Sequence, residues 1–187
     1  MTVQLARRMF TIDDYFRMAE AGILVEDDRV ELIRGEIVEM APIGSRHAAT
    51  VDRLNRLLSR LVGDDAIVRV RNPLRLESQE SSPQPDISLL EPRADYYANQ
   101  HPTAADTLLV IEVADSSADI DRQVKAPLYA EAGVRELWIV VLSEEVVETY
   151  RDPAGGRYTA IQSFRRGDQL SPQALPGVTL TVEQILG

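Results

Sequence analysis

The sequence predicts a mixed α/β fold with a helix–strand–strand–strand–helix–strand core. Three observations carry this. Short apolar runs at 86–90, 108–113 and 136–142 read as buried strands, and amphipathic segments at 47–61 and about 117–133 read as helices. The order of these segments places the second helix between the last two strands, which makes a strand–helix–strand crossover with those strands parallel. The chain has 187 residues, which favours one domain spanning 1–187 with a real core.

Taken in order, a first helix is expected over 12–21. Thr11 caps it, and Ile12, Tyr15, Phe16 and Ala19 fall at helical spacing. "RVELIRGEIVEM" holds two short apolar segments about Arg34-Gly35, a hairpin turn in which glycine takes positive φ. In the helix at 47–61, Val51, Leu54, Leu58 and Leu61 form the apolar face, while Arg53, Arg56 and Arg60 share another face expected to be solvated. The alternation in "IVRVRNPLRL" predicts a strand over 67–76, with Pro73 marking an edge or a bulge. Residues 91–106 read as an exposed excursion. In the later helix Ile120, Val124 and Leu128 recur every four residues, and Pro127 is expected to kink it. "RDPAGG" predicts a hairpin, and "LPGVTLTVEQIL" a final short segment.

Composition excludes several classes. Without cysteine there are no disulfides or thiolate metal sites, so a metal site must use oxygen donors or the two histidines. No apolar run approaches the about 18 residues a membrane-spanning helix needs. "MTVQLARRMF" lacks an apolar leader, so a cytoplasmic protein is the default expectation. The net charge of −10 argues against a general nucleic-acid binder but leaves room for a local basic surface, or for a metal that neutralises phosphate. There is no Gly-x-Ser-x-Gly elbow.

Glu112 stands inside the apolar run "TLLVIEVADSS", where an ionised carboxylate is costly unless compensated. Asp86 opens the preceding strand, after Pro85. Adjacent strands bring two such acids together, and two adjacent carboxylates repel unless a proton or a cation intervenes. A hard cation such as Mg²⁺ suits oxygen ligands and keeps waters for a substrate phosphate. Lys125, on the following helix, can stabilise charge developing on that phosphate. Each residue has a plainer reading as well: Asp86 as a turn acid, Glu112 as a strand-end acid paired with an arginine, Lys125 as a helix-surface partner of Asp121. His47 reads as a helix-end or core histidine, Trp138 as core, and Asp119 and Asp121 as acids favoured at a helix N-terminus.

Pro85-Asp86, Glu112-Val113 and Lys125 resemble the PD-(D/E)XK nuclease superfamily. Its last two positions normally read Glu-x-Lys, but here Ala114 stands where that lysine would be. The chain resembles the bacterial restriction-endonuclease-like family, in which the lysine has migrated to the following helix. The likeness runs through "RVELIRGEIVEM", "PDISLL", "VIEVADSSADIDRQVKAPLYAEAGVRELWIVV" and "LPGVTLTVEQIL". It implies a restriction-endonuclease-like α-β-β-β-α-β core with an N-terminal helix and hairpin and a C-terminal β extension. It further implies a Mg²⁺-dependent endonuclease cleaving DNA, with Mn²⁺ as a substitute. Asp86, Glu112 and the Val113 carbonyl would be metal ligands, Lys125 the catalytic lysine, and Glu31 a further member of the site. Cleavage of both strands would favour a homodimer. The rival expectation is a catalytically silent nuclease-like scaffold binding nucleic acid or a partner protein. Two positions depart from the family: "EVADSS" brings Asp115 close to the site, and Val141 stands where many relatives carry Asp.

Overall fold

The computed structural model describes residues 7–25 and 27–187. The reading of the first ten residues as lacking a leader falls partly on residues 1–6, outside the described residues. Helix α1 (Ile12–Glu20) opens the fold with the expected Thr11 cap, whose side chain accepts from the Asp14 N–H while Asp14 returns to the Thr11 N–H. Strands β1 (Val30–Ile33) and β2 (Glu36–Glu39) form a separate two-stranded hairpin. Arg34 (φ 50°) and Gly35 (φ 76°) turn it, and a Cβ on Gly35 would stand 2.9 Å from the Phe10 carbonyl oxygen. Ile12, Tyr15 and Leu32 close a small core under this unit.

The main sheet has six strands in the order β3 (Ile67–Val70), β4 (Ile87–Leu90), β5 (Thr107–Ala114), β6 (Glu136–Val141), β7 (Val146–Ala154) and β8 (Arg157–Phe164). All neighbours are antiparallel except β5 and β6, which run parallel across the expected crossover. The hairpin predicted at "RDPAGG" joins β7 and β8 through Gly155 and Gly156, both at positive φ. Helix α2 (Ser45–Val62) covers one face of the sheet with Val51, Leu54, Leu58 and Val62. The C-terminal pieces β9 (Gln169–Leu170), β10 (Leu180–Thr181) and α5 (Val182–Leu186) pack on that same face, and Trp138 is buried there. The crossover helix covers the other face, where Leu128, Tyr129 and Ala130 meet Val110, Leu137, Ile139 and Val141.

Three local expectations are corrected. The strand predicted over 67–76 ends at Val70, because Arg71 turns left-handed (φ 53°) and takes the chain out of the ladder. On α2, Leu61 is 44% exposed and Val62 takes the buried place. The predicted helix from about 117 to 133 divides into α3 (Ala118–Ile120), a π-helical turn (Asp121–Lys125) and α4 (Ala126–Ala132). Pro127 has no N–H to return to the preceding turn, and the Ala126 N–H bonds back to the Asp121 carbonyl instead. The wider turn shifts the phase of the segment. Ile120 and Val124, expected to be inside, are 57% and 41% exposed, while Asp121 and Lys125 turn inward.

Candidate active site

The ends of β4 and β5, the π turn and the β1–β2 hairpin meet at one place. Ile87 pairs with Ile111, so Asp86 and Glu112 follow in the next row. The Asp86 N–H lies 3.4 Å from Glu112 Oε2, and Asp86 Oδ2 accepts from the Val113 N–H at 2.9 Å. Lys125 Nζ donates to Glu112 Oε1 at 3.2 Å and to Glu31 Oε1 at 3.4 Å. Asp86, Glu112, Lys125 and Glu31 are therefore brought together, and all three acids are buried. Glu31, which on a hairpin can equally face solvent, is fixed inward by the Gln84 N–H at 2.7 Å.

Four residues complete the cluster that the sequence reading left in other roles or passed over. The Tyr129 hydroxyl donates to Glu112 Oε1 at 2.7 Å. Asp121, read as a helix-dipole acid, is buried and held by the Ser117 hydroxyl at 2.9 Å. His47, read as a helix-end or core histidine, places Nε2 2.9 Å from Asp86 Oδ2. Arg71 donates from Nε to Asp86 Oδ1 at 3.2 Å and from Nη2 to His47 Nδ1 at 3.1 Å. The plainer readings fare unevenly. Trp138 is core, with its indole N–H on buried Glu136. Arg56 and Arg60 are solvated, and Arg53 caps the α5 carbonyls of Ile185 and Leu186. Asp115 is exposed beside Gly44 at the start of α2, and Val141 is fully buried in apolar surroundings.

The electrostatics are those of an acid surplus. Glu31, Asp86, Glu112 and Asp121 face two fixed cations, Lys125 and Arg71. Burial pushes Glu112 up to about 8; Lys125 opposes this, and Asp121, Asp86 and Glu31 add to it. Burial likewise raises Asp121. Burial also works to raise Asp86, but His47, the Val113 N–H and Arg71 outweigh it and hold that carboxyl below its usual range. Burial alone would lower Lys125, yet Glu112, Glu31 and Asp121 raise it, so the ammonium stays charged.

The donor set suits a hard divalent ion. Among the described residues no three His, Asp or Glu side chains converge as a ready-made metal cage. Mg²⁺ does not require one, since it is commonly held by one or two carboxylates with water and substrate phosphate filling the rest. Asp86 and Glu112 are two such groups, and a cation there would compensate the negative charge that burial disfavours on Glu112.

The fold is a six-stranded mixed sheet with helices on both faces. It is similar to the crystal structure of a protein from Anabaena variabilis ATCC 29413, described as "a putative nuclease belonging to DUF820". The TM-score is 0.75 at 19% identity, over 95% of this chain and 97% of that one. The chain belongs to the Uma2 family, described as "putative restriction endonuclease", whose family model matches residues 12–183. No curated protein matches it.

Proposed function

We propose that this chain, acting as one domain over residues 1–187, is a metal-dependent endonuclease that hydrolyses phosphodiester bonds in DNA, using Mg²⁺ with Mn²⁺ as a substitute. The supporting observation is the burial of Glu112 against Asp86, Glu31 and Asp121, with a charged lysine as its nearest cation. Asp86, Glu112 and the Val113 carbonyl would hold the ion. A bound divalent ion supplies a Lewis acid for a phosphate oxygen and lowers the pKa of an attacking water. Tyr129 fixes Glu112 Oε1. Lys125, anchored between Glu112 and Glu31, orients the water and stabilises negative charge growing on the phosphate oxygens. Glu31 positions that ammonium.

DNA as the substrate draws support from a group of arginines set on aromatic rings, of which Arg75 also pairs with Asp13 and Glu77 and Arg93 with Asp95. The Arg69 and Arg93 guanidinium groups lie over the Tyr97 ring, and Arg75 lies over Phe16, whose ring stacks on His101. Arg69 lies on β3, and Arg71, just past the end of that strand, bonds Asp86. The test is plasmid nicking in Mg²⁺ or Mn²⁺. The wild type is expected to nick, and Asp86→Ala and Glu112→Ala each to abolish nicking. Undiminished cleavage by both variants removes the assignment.

The silent scaffold keeps one observation in its favour, because both oxygens of Asp86 already have protein donors. Calorimetric titration with Mn²⁺ separates the two readings. The enzyme binds the ion and loses binding on Glu112→Gln, whereas the scaffold binds in neither form.

A further inference from the structure

We propose that Arg71 is a displaceable counter-ion: it occupies Asp86 before a divalent cation arrives, gives that oxygen up to the cation, and then receives the substrate phosphate. This rests on the metal-dependent reading above and adds an order of events to it.

Asp86 has no idle oxygen. Oδ2 accepts from the Val113 N–H and from His47, each at 2.9 Å, and Oδ1 accepts from Arg71 Nε at 3.2 Å. Three of its about four acceptor sites are filled, and the remaining one, on Oδ1, lies beside Arg71, so a cation entering at Asp86 presses first on one of these donors. The Val113 N–H is fixed in the sheet, and the His47 side chain, on α2, is 16% exposed. Arg71 makes the longest of the three bonds and its side chain is the most open, at 27%. It is also a cation, so a second positive charge at Asp86 repels it. Arg71 is the donor that yields.

The backbone keeps the released guanidinium close. Arg71 is held left-handed at φ 53°, a conformation a non-glycine residue adopts at a cost, and its N–H bonds to the carbonyls of both Pro85 and Asp86. The side chain is therefore rooted beside the acid it has left. His47 completes the arrangement. Arginine only donates, so the Nη2–Nδ1 contact makes Nδ1 the acceptor and leaves the proton on Nε2 for Asp86. His47 keeps hold of Asp86 when Arg71 leaves. A free guanidinium fork beside a bound cation matches two phosphate oxygens, which the single point of an ammonium does not.

The test is Mn²⁺ calorimetry without nucleic acid, followed by KM for a labelled DNA duplex. Arg71→Gln removes the competitor, so Mn²⁺ is expected to bind about tenfold more tightly while KM rises about tenfold. Arg71→Lys keeps the charge and loses the fork, so its Mn²⁺ affinity stays near wild type while KM rises. Thermal melts confirm that both variants fold. Unchanged or weaker Mn²⁺ binding by Arg71→Gln overturns the proposal while the nuclease reading stands. A wild type that binds no Mn²⁺ overturns both. Tighter Mn²⁺ binding by Arg71→Gln with no DNA cleavage by any form supports the counter-ion and overturns the hydrolytic reading alone.

Discussion

Burial makes Glu112 hold its proton well above the pH at which an ordinary glutamate releases it. Its folded pKa, about 8, lies above its ordinary value, so the folded protein binds a proton that the unfolded chain has released. Stability contributed this way is present below the ordinary glutamate range and is lost as pH rises toward 8. Metal-free protein should therefore lose stability steadily from pH 5 to pH 8, read as a falling melting temperature. Glu112→Gln should flatten that slope; an equally steep slope in the variant would remove Glu112 as its source. At this scale the sequence was legible where chemistry is local. An acid inside "LLVIEV" and another after Pro85 are conspicuous without coordinates. Tyr129, Arg71, His47 and Asp121 were not, because each gains its role from a partner on a different element or across the altered phase of the π turn. Arg71 in particular looks like one more member of an alternating strand until the chain turns left-handed beneath it.

The π turn shows how an element carries function that its hydrophobic pattern hides. The spacing of Ile120, Val124 and Leu128 describes an ordinary helix with an apolar stripe, and Leu128 alone obeys it. The missing N–H of Pro127 permits a five-residue detour that rotates Asp121 and Lys125 inward. Sequence reasoning placed a kink here and could not supply its sense of rotation, which depends on carbonyl partners several residues away. Pro127→Ala restores the donor and with it a regular helix as the competing state. Its expected outcome is a thermal midpoint at or above wild type with Mn²⁺ affinity reduced severalfold, read by calorimetry. A crystal structure of the variant that keeps the π turn would show that proline is not its cause. The core strands were legible because both faces of β4, β5 and β6 are buried and their apolar runs are continuous.

Across the whole molecule, the candidate site draws on parts of the chain far apart in sequence. Lys125 reaches back 94 positions to Glu31. That acid comes from the β1–β2 hairpin, which is no part of the six-stranded sheet. The single tryptophan, Trp138, is fully buried in β6, in a core cluster separate from the one under the hairpin, and so reports on the sheet. In refolding from denaturant, its fluorescence should reach the native value no later than Mn²⁺ binding recovers; ion binding that recovers first would contradict the arrangement. A molecule whose hairpin has not yet seated lacks Glu31 at Lys125, so the ammonium is left with Glu112 as its one anchoring acid.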